Sequence, residues 1–259
     1  MRGPWVFVLH GGPGAPGYLA PLAEELAAGF KVIEPFQRGS GGQPLSVAGH
    51  VADLARLIRA ECQGDRPVLV GHSWGAMLAL AFAAEHSDHV AGLVLIGCGT
   101  FDFPARDRLS LNRDRRMGPD VRRRMDRLVE EIPDADQRLA AIGNLLLPVD
   151  SVALLPDATV FQQGDALAHE QTWRDMLRLQ AEGVYPAAFA AIESPVLMLH
   201  GAVDPHPGQM IRASLRPHLP QLEYIERERC GHYPWLEKAV RDEFFKVLHE
   251  WLAQKLIHD

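Results

Sequence analysis

Ser73 stands in Gly71-His72-Ser73-Trp74-Gly75, after the apolar run Pro67–Val70 and before the apolar segment Trp74–Glu85. A serine hydroxyl attacks a carbonyl only when a base takes its proton and a third group orients that base. A G-x-S-x-G turn between a strand and a helix exposes the serine, and its small neighbours relieve a crowded backbone. The turn also sets the serine at a helix N-terminus, where partial positive charge favours a developing anion. The bland alternative is an ordinary glycine-rich turn in which Ser73 only caps the helix.

In this architecture the chain order is serine, then acid, then histidine. Asp204 lies in Gly201-Ala-Val-Asp-Pro-His-Pro-Gly208, just past the strand-like Pro195–Leu199, and is the expected acid. Asp102, after the strand-like Val90–Ile96, is the fallback. Of the twelve histidines, His232 in Cys230-Gly-His-Tyr233 best fits the base, because it follows the last strand pattern and precedes the last helix. His86 and His89 have metal-like spacing but no third ligand nearby, so a solvated helix end is expected. His10-Gly11-Gly12-Pro13-Gly14 follows the first strand pattern and can bare backbone N–H groups toward an oxyanion. The expected donors are the N–H groups of Gly12 and Trp74, with Gly11 the alternative to Gly12. A phosphate-binding loop is disfavoured because no G-K-[ST] follows.

The elements that must position these residues are legible as periodicity. Trp5–His10, Lys31–Glu34, Pro67–Val70, Val90–Ile96, Pro195–Leu199 and Leu222–Ile225 are short apolar strand candidates. Tyr18–Ala28, Val47–Glu61, Trp74–Glu85 and a closing segment from about 238 to 255 are helix candidates. Continuous apolar strands alternating with helices predict a parallel sheet covered on both faces. Between Phe101 and Ala191 only helical patterns occur; Pro133 ends one that carries Val121, Met125, Leu128 and Val129. This predicts a core of residues 1–100 and 190–259 and an inserted helical cap of residues 101–189, anchored at the sheet's carboxyl edge over Ser73. The cap's arginine-rich stretch, Arg106 to Arg127, is interleaved with Asp107, Asp114, Asp120 and Asp126, which predicts solvated, salt-bridged helices.

Composition narrows the function. The 259 residues carry a formal net charge of −7, against the basic excess of nucleic-acid binders. No apolar run is long enough to span a bilayer, and the N-terminus lacks the pattern of a signal peptide. Three dispersed cysteines, Cys62, Cys98 and Cys230, predict reduced thiols in the cytoplasm. Cys230, two residues from His232, is either a reactive thiol or, as expected, a small buried filler.

Together, HGGPG, Gln37-Arg38-Gly39-Ser40-Gly41, GHSWG and the Asp204 and His232 loops resemble the prolyl iminopeptidase branch of the α/β-hydrolases. The resemblance covers roughly residues 5–99 and 195–259. It implies an α/β-hydrolase fold with a helical cap. It implies a Ser73–His232–Asp204 triad acting on an ester or amide of a small molecule or short peptide, without metal or organic cofactor. A carboxylesterase and a non-catalytic binding member are the alternatives. The sequence departs from the branch at Phe36, where an acid is usual, at Gln43, where serine is usual, and at His72, where glycine is more frequent. The branch holds a substrate amine with cap glutamates, for which Glu130, Glu131, Glu170 and Glu182 are the candidates here. It also begins with two further strands. If these are missing, a bare sheet edge would be left, which favours a homodimer or a covered edge.

Overall fold

The computed structural model describes residues 3–156, 158 and 161–256. Six strands form one parallel sheet: β1 (Trp5–Leu9), β2 (Lys31–Ile33), β3 (Val68–His72), β4 (Gly92–Ile96), β5 (Val196–Gly201) and β6 (Leu222–Arg227), in the order β2-β1-β3-β4-β5-β6. The order turns at β1 and β3, and their carboxyl ends carry the His10 loop and Ser73. That is where sites form in open α/β sheets.

The helices are α1 (Ala20–Leu26), α2 (Val47–Cys62), α3 (Trp74–Glu85), α4 (Phe103–Arg116), α5 (Pro119–Glu131), α6 (Ala135–Leu146), α7 (Ala166–Ala181), α8 (Gly208–Leu215) and α9 (Arg241–Leu256). Alternation along the strands divides the core. Phe7, Leu69, Leu95 and Met198 pack with α2, α3 and α8 on one face, while Val8, Val70, Val94 and Leu197 pack with α1 and α9 on the other. Truncating any such leucine to alanine would cost about 2–5 kcal/mol. Central α3 is buried all round, which is why its sequence is apolar with no polar face.

Of the boundaries that differ from their sequence expectations, two bear on the site. β3 runs through Gly71 and His72, because Gly71 pairs with both Leu9 and Leu95 in the ladder. The closing helix starts at Arg241, after a short 3-10 turn at Pro234–Leu236 that buries Trp235. Between β4 and β5 the regular elements among the described residues are helical, apart from one isolated bridge, Leu154 to Glu237. Four consecutive helices lie in this stretch. α4 is capped by Asp102, whose Oδ1 accepts the Ala105 N–H at 2.7 Å, and α5 ends just before Pro133. Among the described residues, no helix is long and apolar enough to cross a membrane.

Candidate active site

The turn that carries Ser73 is sterically demanding. Ser73 has φ 54° and ψ −116°, a region few side chains adopt. A Cβ on Gly71 would run into the Gly75 carbonyl, and one on Gly75 into the Leu9 carbonyl. The motif's two glycines are therefore required by the close approach of β1, β3 and α3. Ser73 and His232 both line a cavity of about 480 Å³, and no hydrogen bond joins them among the described residues.

His232 is buried, and its Nδ1 lies 2.7 Å from Asp204 Oδ2. A carboxylate only accepts, so Nδ1 carries the proton in the neutral ring and Nε2 keeps its lone pair. Burial holds His232 below the ordinary histidine pKa, and Asp204 offsets part of that effect. Burial also opposes the charge of Asp204. The opposing pull of His232, His206 and His200, with a hydrogen bond from His206, keeps its carboxyl well below the usual range. The fallback acid, Asp102, is engaged instead as the cap of α4.

The donors expected for an oxyanion are sorted by their hydrogen bonds. The Gly11 N–H donates to Tyr18 Oη at 2.8 Å and is spent. The N–H groups of Gly12 and Trp74 have no acceptor among the described residues, and both residues line the cavity. Gly12 has φ +112°, and a Cβ there would press on Ala15 at 2.9–3.0 Å, so glycine is needed.

Several further residues brace the site, and sequence reasoning gave none of them a role. His72 Nε2 lies 3.0 Å from the His232 carbonyl, an acceptor, so Nε2 carries the proton and Nδ1 accepts from Tyr18 Oη at 2.5 Å. Burial keeps His72 neutral, as this pattern requires. The departure from glycine at this position thus ties the His232 loop to Tyr18 and, through it, to the loop after β1. Gln37 braces the other side: its amide donates to the His10 carbonyl at 2.8 Å, and its carbonyl accepts from Trp74 Nε1 at 2.8 Å. Its place in the Gln-Arg-Gly motif was the available signal. Glu237, fully buried, accepts the N–H groups of Val152, Ala153 and Gly231 at 2.8–3.1 Å. His232 N–H donates to the Asp150 carbonyl at 2.8 Å.

Residues 4–239 match the family described as alpha/beta hydrolase fold. The chain belongs to the α/β-hydrolase fold family. This α/β-hydrolase is 31% identical over 135 residues to proline iminopeptidase of Saccharolobus solfataricus, across 49% of this chain and 38% of that enzyme. The match thus spans well under half the length of that relative. It is 28% identical over 271 residues to 2-hydroxy-6-oxo-2,4-heptadienoate hydrolase of Pseudomonas putida, covering 96% of this chain and 88% of that one. Its fold is similar to that of a thermophilic esterase from Thermogutta terrifontis, with TM-score 0.65 at 21% identity, across 98% of this chain and 91% of the other.

Helices of the 101–189 stretch supply much of this α/β-hydrolase's cavity wall, including Leu109, Ile142, Leu146 and Trp173. Arg113 also lines it and forms a two-point pair with Asp150, Nε–Oδ1 at 3.0 Å and Nη2–Oδ2 at 2.6 Å. The four glutamates considered for binding a substrate amine do not line it. Glu130 is exposed, Glu131 pairs with Arg124, Glu170 with Arg174 and Glu182 with Arg178. Much of the arginine-rich stretch is solvated and paired, as with Arg122 to Asp114 and Arg123 to Asp120. Asp204, His206 and His232 are the one trio among the described residues whose metal-ligand atoms lie within 4.8 Å of one another, and both imidazoles spend Nδ1 on the carboxylate. All three cysteines are free and buried, and burial pushes the Cys230 thiol up to about 12, which disfavours a thiolate.

Proposed function

We propose that this α/β-hydrolase is a serine hydrolase working through Ser73, His232 and Asp204. Ser73 Oγ attacks a substrate carbonyl while His232 Nε2 takes its proton. The imidazolium is held by Asp204, and the N–H groups of Gly12 and Trp74 bind the oxyanion. Collapse expels the leaving group, which His232 protonates. Water activated by the same base then releases the acid from the acyl-enzyme. The observation that carries this reading is the 2.7 Å Nδ1–Oδ2 contact beside a serine held at positive φ on the same cavity. A fluorophosphonate probe tests it: an adduct on Ser73, lost in His232→Ala, is expected, and folded protein without adduct overturns it.

Within this chemistry we favour small esters over N-terminal proline amides. A free amine needs a carboxylate to receive it, and no glutamate lines the cavity among the described residues. Asp150, the carboxylate that does, is taken by Arg113. Side-by-side turnover of short-chain aryl esters and proline arylamides should favour the esters, and a strong preference for the amides would reverse the assignment. We further propose that residues 101–189 act as a cap that shapes the acyl pocket and limits water. The free cysteines support a reducing, cytoplasmic setting. Replacing the cap by a short linker should alter substrate range more than reactivity of Ser73 toward a small phosphonate.

A further inference from the structure

Three charged side chains line the cavity among the described residues: Arg106, Arg113 and Asp150. Arg113 and Asp150 cancel. Arg106 is left over, on the first helix after β4, with no carboxylate within ion-pair distance among the described residues.

The two arginines differ at the same edge of the guanidinium. On Arg113 both Nε and Nη2 are filled by the two oxygens of one carboxylate, at 3.0 and 2.6 Å. On Arg106 the Nη2 donates to the neutral amide oxygen of Gln180, while the Nε is buried with no hydrogen-bond partner. That fork therefore holds one acceptor where a planar guanidinium presents two aligned donors. Gln180 also reaches Thr100, donating to its carbonyl at 2.9 Å. Thr100 lines the same cavity, is 1% exposed, and its hydroxyl has no partner either. Burial works against the charge of Arg106 and lowers its pKa from the usual arginine value, and Asp102 offsets part of that. Asp102 gives its carboxylate to the cap of α4 and leaves the fork open. A half-filled guanidinium and an idle hydroxyl joined through one glutamine cost stability, because buried donors without acceptors lose their hydration.

We propose that Arg106, together with Thr100, is a subsite for a carboxylate borne by the substrate away from its scissile carbonyl. The substrate class is then a monoester or amide that keeps one free carboxylate, such as a half-ester of a short dicarboxylic acid. The anion supplies the second acceptor of the Arg106 fork, with Gln180 shifting or sharing the edge. The apolar wall formed by Leu109, Ile142 and Trp173 takes the intervening carbons. This rests on the hydrolase reading above for its turnover, though not for its binding.

The test uses matched pairs that differ only in the anion: 4-nitrophenyl hemiglutarate against 4-nitrophenyl valerate, and 3-acetoxybenzoate against 3-acetoxybenzamide. The anionic member of at least one pair should have a kcat/KM roughly 10- to 100-fold higher, the range of one charge-assisted, two-point contact. In Arg106→Gln that ratio should fall toward one, while Ser73 still takes a fluorophosphonate, which reports that the site is folded. Thr100→Val should lower the ratio by a smaller factor. Equal turnover of both members in both pairs, or a ratio that survives Arg106→Gln, overturns the proposal. Binding of glutarate to Ser73→Ala protein, measured by calorimetry, is the readout independent of catalysis. Saturable binding lost in Arg106→Gln supports the subsite even if no ester is turned over, in which case the hydrolase reading alone falls. Its absence at millimolar glutarate counts against the subsite.

Discussion

His206 lies flat on His232, with ring centroids 4.3 Å apart and planes 11° from parallel, and the Nδ1 atoms of both rings reach the carboxylate of Asp204. Each ring takes one oxygen: His206 is 2.9 Å from Oδ1 and His232 is 2.7 Å from Oδ2. The His206 backbone N–H also donates to Oδ1, at 2.8 Å. The carboxylate plane is thereby fixed, and so is the imidazole that it orients. We predict that His206→Ala keeps the fold, because the backbone contact survives, yet lowers kcat several-fold. The stacked ring depresses the pKa of His232 and shares its carboxylate. Its loss should therefore move the acid limb of the kcat/KM profile to higher pH, whereas an unmoved limb would show that His206 only fills space.

Asp204 and Asp102 make opposite predictions. Asp204 meets the ring nitrogen of His232, and Asp102 caps α4. Asp204→Asn should cut kcat by roughly 10⁴-fold, the loss seen when a triad histidine is held in the wrong tautomer. Asp102→Asn should be nearly silent in both activity and stability, since asparagine caps helices as well as aspartate does. Asp102→Ala should cost about 1 kcal/mol of stability without a matching loss in kcat. Paired kinetics and urea unfolding on the three variants check both.

What could be read in the sequence was what is local. Strands and helices of the core announced themselves because a doubly covered parallel sheet needs unbroken apolar runs, and Val68–Val70 and Leu93–Ile96 supply them. Ser73 stood out because its turn forbids Cβ atoms on either side, a demand written into two glycines. Asp204 and His232 stood out by following strand patterns, and the structure brings them within hydrogen-bonding distance. The contacts that brace this group were not legible. His72 meets Tyr18 and the His232 carbonyl, 54 and 160 residues away, and no spacing rule links such pairs. Arg106 was indistinguishable from its arginine neighbours, because helix periodicity does not say which turn of α4 meets the cavity. The end of β3 and the start of α9 are illegible for a similar reason, since burial of Trp235 and ladder pairing of Gly71 are decided by partners distant in sequence.

Glu237 tests how strongly the stretch before α7 holds the His232 loop. Its carboxylate receives three backbone N–H groups, from Val152, Ala153 and Gly231, in a fully buried setting. Glu237→Ala would strand all three donors at once. A buried donor left unsatisfied costs about 1–3 kcal/mol, and relaxation makes the sum less than additive. We predict a loss of about 3 kcal/mol or more by urea unfolding. The drop in kcat should exceed what unfolding explains, because Gly231 precedes His232. Glu237→Gln keeps one acceptor oxygen and should fall between alanine and the wild type. Equal stability of all three proteins would show that these contacts carry no weight.

Buried neutral histidines set the acid tolerance of the fold. Burial lowers His10 and His50 to about 4 each, and neither is paired with a carboxylate. The unfolded chain binds protons on these groups at about pH 6.5, so between 6.5 and 4 it holds protons that the folded chain refuses. Stability is therefore complete above the unfolded value and falls as the pH drops through this window. At pH 5 the shift corresponds to about 2 kcal/mol for each such histidine. His50→Gln separates this from other causes. His50 Nε2 lies 3.0 Å from Thr172 Oγ1 between α2 and α7, and glutamine can reach the same hydroxyl without titrating. We predict that His50→Gln is somewhat less stable than the wild type at pH 7 but loses about 2 kcal/mol less on going to pH 5. Urea unfolding at both pH values gives the comparison directly, and parallel losses in the two proteins would mean that His50 takes up its proton as readily in the folded chain as in the unfolded one.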